Sequence, residues 1–318
     1  MEINLLKELE GAEKIGISGH VKPDGDCISS CLAMYKYISN AMPEAKITLF
    51  LEQIPDCFNF LANSDKIDNS FVGINDFDVY IALDSGSLDR IGKAEPFFRR
   101  AKKSICIDHH QSNPGYGDIC IVDGECSSAS ELIFRYMDRQ YVDDDIATCI
   151  YTGIIHDTGV LQYSNTKKET YLTVAELVQY NVNTAQIVDE SFYQKTYTQN
   201  QILGRVLTES IMFMDGKCIA GLVTQKMLKF YDADTRDLEG IVSQLRVTKG
   251  VEAAIFIYEI KPQQYKVSLR TTEKIDASKI TVVFGGGGHA RAAGCTMTGT
   301  YHDVLNNISA LIAEQLEK

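Results

Sequence analysis

The sequence has no tryptophan, only six prolines, and no apolar run long enough to cross a membrane. A membrane helix needs about 20 consecutive apolar residues, so we expect no membrane span. Residues 1–13 are polar and amphipathic and lack the apolar core of a signal peptide. These absences predict a cytoplasmic protein.

The cysteines also lack a pattern. There are nine, an odd number, with no CxxC pair, and several lie inside apolar segments, such as Cys106, Cys149 and Cys218. Scattered cysteines of this kind are typical of reduced thiols in a cytoplasm. They argue against a disulfide framework or a zinc finger.

Positive charge is in deficit. The chain has 31 basic and 43 acidic residues, a net charge of -12. Such a surface disfavours binding of long nucleic acid, although a local basic patch can still hold a small phosphorylated substrate. The 318 residues, 45% of them hydrophobic, are typical of a globular protein with two domains.

Several apolar runs predict buried strands, and each of these runs is followed by polar residues. Strand-like runs lead into His20, into Asp84, and into the triplet Asp108-His109-His110. Strands alternate with polar loops and helices, which predicts an α/β fold with a parallel sheet. Ligands of such sheets bind beyond the carboxyl ends of the strands, so we expect these polar residues to meet along one edge.

The later part of the chain suggests a second domain. A helix predicted at about 145–155 runs into His156 and Asp157, and a new α/β organisation starts near residue 201. We therefore predict a catalytic domain at 1–190, a linker at 191–205, and a smaller α/β domain at 206–318.

The polar residues near the strand and loop ends include six nitrogen and oxygen ligands without a thiolate: His20, Asp24, Asp26, Asp84, His109 and Asp157. That set suits Mn, Mg or Fe better than a structural zinc site. Six ligands fit two ions about 3.5–4 Å apart, with room for substrate. Asp24 and Asp26 flank a glycine and can serve one ion each, and Asp84 is the best bridging candidate.

Each of these ligand motifs has a simpler interpretation when it is considered alone. Asp24-Gly25-Asp26 is typical of a turn, Asp84 of a cap, and His156-Asp157 of a helix end. Their joint placement favours the metal site.

A glycine-rich stretch, Gly285 to Gly294, lies late in the chain and is predicted to be a loop. It is neither a P-loop nor a dinucleotide fingerprint, because the residues that complete those motifs are missing. Consecutive glycines let backbone amides approach an anion. A substrate-binding patch is therefore predicted at Gly286, Gly287, Gly288, His289, Arg291, Arg270 and Arg246. Arg246 is explained equally well as a solvated charge on a helix.

Together these motifs resemble the DHH phosphoesterase superfamily over nearly the whole chain. The resemblance rests on residues 20–26, 82–86, 108–110 and 153–159, and on the glycine-rich stretch. The pattern is similar to the short two-domain nanoRNase/pAp-phosphatase branch. Two departures are Cys27 and Ile28, where small residues are common, and Asn181 in place of a glycine.

The resemblance implies two divalent cations, foremost Mn, with Mg, Fe or Co as alternatives. It implies that His20 and Asp24 hold one ion and that Asp84 bridges. The other ion would be held by Asp26, His109 and Asp157.

The resemblance also implies roles around the substrate. His110 would sit over the phosphate as an acid, and Asp108 would orient a histidine. The C-terminal domain would bring His289, Arg291 and Arg270 across a cleft to the nucleotide.

We therefore expect a hydrolase of short oligoribonucleotides, of 3′-phosphoadenosine 5′-phosphate (pAp), or of both. A phosphodiesterase of cyclic or linear dinucleotides is the closest alternative, and a non-catalytic nucleotide sensor is the alternative of another class. A small nucleotide is the expected partner, with no long nucleic acid and no membrane, and a homodimer is left open.

Overall fold

The computed structural model describes residues 4–73 and 76–317, and the chain divides into two compact units between Gln194 and Lys195. The expected outer limits at residues 1 and 318 lie outside the described residues. The stretch 191–205, predicted as a linker, is mostly helical, because it holds the end of the π-helical turn Val188–Tyr193 and most of the helix Tyr197–Glu209. Among the described residues, no helix is long and apolar enough to span a membrane.

The first unit contains a six-stranded sheet in which every neighbouring pair is parallel. Its strands are β1 (Lys14–Ser18), β2 (Lys46–Phe50), β3 (Ile67–Asp68), β4 (Val79–Leu83), β5 (Lys103–Asp108) and β6 (Ile119–Val122). The order across the sheet is β3-β2-β1-β4-β5-β6. The predicted parallel α/β architecture is confirmed.

Seven helices accompany this sheet among the described residues. They are α1 (Leu5–Glu8), α2 (Gly25–Ala41), α3 (Glu95–Arg100), α4 (Ala129–Tyr136), α5 (Asp144–Asp157), α6 (Lys168–Leu177) and α7 (Thr184–Ile187).

Both faces of the sheet are buried, as strand β4 shows. Val79, Ile81 and Leu83 pack into one apolar cluster, and the alternate residues Tyr80 and Ala82 pack into a second, aromatic one. Successive side chains of a strand point to opposite faces, so a strand covered on both sides needs a continuous apolar run. This explains why the strands are uninterrupted apolar segments in the sequence.

The strand order reverses direction between β1 and β4, the two strands at the centre. β1 is followed along the chain by its neighbour β2 on one side, and β4 is followed by β5 on the other. In open parallel sheets the crevice at such a reversal is where ligands bind. The fold therefore predicts a site where β1 and β4 end.

The second unit contains a mixed sheet with the order β11-β12-β10-β9-β8-β7, in which only β8 and β9 are parallel. Its strands are β7 (Ile211–Phe213), β8 (Cys218–Val223), β9 (Ala253–Lys261), β10 (Gln264–Thr271), β11 (Gly287–His289) and β12 (Ala292–Thr298). Its helices are α8 (Tyr197–Glu209), α9 (Gln225–Tyr231), α10 (Ile241–Arg246), α11 (Ala277–Val282) and α12 (Tyr301–Leu316). The predicted second α/β unit is confirmed.

One local expectation in this unit is wrong. The glycine-rich stretch was expected to be a loop, but β11 and β12 pair antiparallel there and form a hairpin. Glycine is a poor strand former in general. Here it is tolerated because the neighbouring backbone lies too close for a side chain at Gly286 and Gly288.

Asp78 stabilises the start of the central strands β1 and β4 through hydrogen bonds. Its Oδ2 accepts hydrogen bonds from the backbone N–H groups of Glu13 and Lys14, at 3.0 and 2.9 Å. Its Oδ1 accepts one from Nζ of Lys102 at 2.7 Å. The bond from Lys102, together with those from the backbone, lowers the pKa of Asp78 to about 2.

We expect Asp78→Ala to lower the free energy of unfolding by about 2 kcal/mol at neutral pH, because hydrogen bonds to a charged group are lost. A lowered pKa stabilises the fold above the ordinary carboxyl pKa near 4, and the effect is lost as pH falls towards about 2. Urea unfolding of both proteins at several pH values measures this.

The exposed Glu44→Ala serves as the control and should change stability little at any pH. A deficit for Asp78→Ala that stays constant from neutral pH to about pH 2 would contradict the role given to the carboxylate.

Candidate metal centre

The predicted metal ligands lie at the ends of three strands and two helices of the first unit. His20 follows β1, Asp84 follows β4 directly, and His109 follows β5 directly. The remaining ligands come from helix ends: Asp24 caps α2, Asp26 lies in its first turn, and Asp157 is the last residue of α5. The structure brings all six together.

One group of ligands surrounds His20. Its Nε2 lies 3.6 Å from Oδ2 of Asp24 and 3.5 Å from Oδ2 of Asp84. The other ring nitrogen, Nδ1, lies 2.9 Å from the carbonyl oxygen of Val21. Donation from Nδ1 to that carbonyl leaves Nε2 as the lone-pair atom that faces the carboxylates.

A second group surrounds His109. Its Nε2 lies 3.4 Å from Oδ1 of Asp84, 3.6 Å from Oδ2 of Asp157 and 3.9 Å from Oδ2 of Asp26. Asp84 thus turns one carboxylate oxygen towards each histidine. This is the arrangement expected of a bridging carboxylate.

The donor set fits divalent cations. Most of these separations are longer than a good hydrogen bond, and Oδ1 of Asp84 has no hydrogen-bond partner among the described residues although the side chain is buried. Ligands that share an ion at about 2.1 Å lie about 3–4 Å apart. Among the described residues three groups have donor atoms close enough to share an ion, and the first two of them share Asp84: His20, Cys27 and Asp84; Asp84, His109 and His110; and Asp26, His109 and Asp157.

The carboxylates are crowded, and their pKa values reflect it. Burial and the charge of Asp84 raise the pKa of Asp26 to about 7, and burial and the charge of Asp26 raise that of Asp157 to about 8. Burial opposes ionisation of Asp84 too, but His109 and His20 outweigh it and lower its pKa. Three buried carboxylates thus lie together, and a bound cation would add positive charge that favours their ionised forms.

Asp26 is held by the start of helix α4. Its Oδ2 accepts a hydrogen bond from the N–H of Ala129 at 2.6 Å, and its Oδ1 accepts one from Ser130 at 3.0 Å. Free N–H groups at a helix start favour a carboxylate. Gly153 lies against this contact, where a Cβ would meet Ser130 Oγ at 2.0 Å and Asp26 Oδ1 at 2.7 Å.

Asp84 itself has an unusual backbone. Its φ is +50°, a left-handed conformation that aspartate tolerates better than most residues. Its N–H donates to the carbonyl of Ile107 at 3.1 Å, which extends the pairing of β4 with β5 by one residue. The turn thus directs a buried carboxylate beyond the end of the central strand.

His110 is hydrogen-bonded to Asp108. Nδ1 of His110 lies 2.7 Å from Oδ1 of Asp108, and Oδ2 of Asp108 accepts a hydrogen bond from Asn113 at 2.7 Å. This hydrogen bond raises the pKa of His110. The sequence indicated only a turn at Asn113, because nothing in its spacing reveals the contact with Asp108.

The predicted substrate-binding residues lie in the second unit. His289 ends β11 and Arg291 lies in the turn that follows, both exposed. Nη1 of Arg291 donates to the carbonyls of Thr272 and Ile275, at 2.6 and 3.0 Å. Part of this guanidinium therefore stabilises the turn.

The other two basic residues of the patch also lie in the second unit. Arg270 pairs with Ala292 in the ladder and points away from the cluster that contains Leu269. Arg246 ends helix α10 and is half-buried.

Close packing explains why Gly286 and Gly288 have no side chain, but it does not explain Gly287. A Cβ at Gly286 would meet the carbonyl of Gly294 at 2.3 Å, and one at Gly288 would meet that of Ala292 at 2.5 Å. A Cβ at Gly287 would meet nothing within 4 Å.

Comparisons with known proteins agree with this architecture. Residues 14–154 match the model of the DHH family, N-terminal domain, and residues 217–318 match that of the DHHA1 domain. The bifunctional oligoribonuclease and PAP phosphatase NrnA of Thermus thermophilus is 30% identical over 93% of this chain and 87% of its own. The Bacillus subtilis protein of the same name is 24% identical over 93% of each chain.

A solved structure shares the fold as well. The crystal structure of an exopolyphosphatase-related protein from Bacteroides fragilis superposes with a TM-score of 0.89 at 26% identity, over 98% of this chain and 95% of that one. The chain therefore belongs to the DHH family of phosphoesterases, in its nanoRNase/pAp-phosphatase-like branch.

Proposed function

We propose that this protein hydrolyses short oligoribonucleotides and pAp, using two divalent cations held at the ends of β1, β4 and β5. The observation that carries the proposal is the pair of histidine-carboxylate groups that share Asp84. The proteins named as bifunctional oligoribonucleases and PAP phosphatases support the substrate class, because they match over nearly the whole length of the chain.

We assign one cation to His20, Asp24 and Asp84, and the other to Asp26, His109, Asp157 and Asp84. When bound, two such cations activate a water and neutralise charge on the attacked phosphate. Oxygen and imidazole donors favour Mn as the metal, with Mg, Fe and Co as alternatives.

His110 is the proposed proton donor. Its Nδ1–H donates to Asp108, so the second proton of the imidazolium is carried by Nε2. The raised pKa of His110 favours the protonated ring. A group of this kind can protonate the leaving oxygen as the phosphoester bond breaks.

The second unit would supply substrate contacts. Arginine and histidine bind phosphate oxygens through charged hydrogen bonds, and the chain has few positive groups to spare at a net charge of -12. We propose His289, Arg270 and Arg291 as these contacts, with Arg246 and the amides of Gly286, Gly287 and Gly288 as additional ones.

The substrate assignment is tested with purified protein and Mn on pAp, a 5′-phosphorylated diribonucleotide, cyclic di-AMP and pyrophosphate. We expect the first two to be cleaved. Asp84→Asn should lower both rates by about 1,000-fold or more, because the shared carboxylate loses its charge. Phosphate and nucleotide release measure this, with the exposed Glu44→Gln as the matched control.

Other outcomes would redirect the proposal. Turnover of cyclic di-AMP alone would indicate a dinucleotide phosphodiesterase. Nucleotide binding without turnover, in the presence of any of the four metals, would indicate a sensor and refute the catalytic assignment.

Gly153→Ala tests the support of Asp26. The new methyl group would overlap Ser130 and the Asp26 carboxylate, and overpacking of this kind costs about 1–3 kcal/mol. We expect a lower free energy of unfolding and weaker binding of Mn, measured by urea unfolding and by metal titration.

Gly204→Ala is the matched control, because it is also a helical glycine but has nothing within 4 Å of the added carbon. This change should stabilise the protein by about 0.5–1 kcal/mol. Equal stability of the two variants would show that the position of Asp26 does not depend on Gly153.

A further inference from the structure

Cys27 is a buried group to which the proposed reaction assigns no task. It lies in the first turn of α2, directly after the Asp24-Gly25-Asp26 loop, and it is fully buried. Its Sγ accepts a hydrogen bond from the N–H of His20 at 3.2 Å. The thiol is confined there, because a Cβ at Gly19 would lie only 2.2 Å from the sulfur.

The sulfur lies among the ligands of one cation position. Sγ of Cys27, a ring nitrogen of His20 and a carboxylate oxygen of Asp84 are all within 4.8 Å of one another. A metal–sulfur bond is about 2.3 Å and a metal–nitrogen bond about 2.1 Å. Donors with this spacing can therefore reach a common ion after small shifts.

The two cation positions consequently differ in chemistry. The group around His109 offers only imidazole and carboxylate, which suit a hard cation such as Mn²⁺. The group around His20 has a thiol within reach. Thiolate is a soft ligand that selects thiophilic cations.

We propose that Cys27 is an additional ligand at the His20–Asp84 position and that it raises the affinity of this position for thiophilic divalent cations, such as Co²⁺, Zn²⁺ or Cd²⁺, relative to Mn²⁺. This inference rests on the proposed metal-dependent function. On binding, a sulfur–metal bond forms and the thiol proton passes to solvent. No oxidation state changes.

The test uses Co²⁺, whose bond to a thiolate gives a charge-transfer absorption in the near ultraviolet. The metal-free full-length chain is titrated with Co²⁺, and the absorption is followed together with the number of ions bound. We expect the band to develop with one of two bound ions. It should be present in the wild type and in Cys149→Ser and absent in Cys27→Ser.

Cys149 is the matched control because it is a buried thiol in helix α5 and lies outside the groups of potential ligands. As a second readout, competition with a chelating dye gives the affinities for Cd²⁺ and Mn²⁺. Their ratio should fall by about tenfold or more in Cys27→Ser and stay unchanged in Cys149→Ser.

The outcomes separate this inference from the function on which it rests. Two bound Co²⁺ ions and cleavage of pAp without the band would overturn the role of Cys27 and leave the proposed function intact. Failure to bind any of these metals would overturn both. Should Cys27→Ser not fold, Cys27→Ala replaces it, and retention of the band in the folded variant would refute the assignment.

Discussion

Mutual repulsion among buried carboxylates is the constraint around which the first unit is built. Asp26, Asp84 and Asp157 converge beside His109, and burial together with the neighbouring carboxylates raises the pKa of Asp26 and of Asp157. Backbone groups hold the carboxylates in place against this repulsion. The start of α4 donates two N–H groups to Asp26, and a left-handed turn directs Asp84 inward. Such preorganisation lowers folding stability, and bound cations would restore that stability.

The parallel sheet is what makes this convergence geometrically possible. Strands β1, β4 and β5 are adjacent and parallel, so the residues that follow them leave the sheet at one edge. The reversal of strand order between β1 and β4 opens a crevice there, and the packing of α2 against α5 brings Asp26, near the start of α2, close to Asp157, at the end of α5. The apolar strands thus have two roles, because the same residues that fill the core set the positions of the ligands.

Most of this arrangement was predictable from the sequence because each polar ligand comes directly after, or close to, an element with a strong pattern. A buried strand is a continuous apolar run, so the residues that follow it, such as Asp84 and His109, are marked by position alone. Contacts between residues distant in sequence were not predictable. Nothing local links Asn113 to Asp108, or the amide of Ala129 to Asp26. The hairpin at residues 287–298 was missed for a related reason. Glycine is required at position 288 because the paired strand lies close to it, and strand propensity does not reveal that distance.

The surplus of negative charge also constrains the order in which a reaction can proceed. A phosphate is repelled by an uncompensated cluster of carboxylates, and the whole chain adds to this repulsion with a net charge of -12. The raised pKa values of Asp26 and Asp157 have a related origin, because each carboxylate is buried beside another carboxylate. In the mechanism proposed here, bound cations would supply the positive charge that a phosphate needs, so we expect them to bind before substrate. With Cys27 as a ligand, as proposed, the His20 position would hold a thiophilic cation more firmly than the His109 position would.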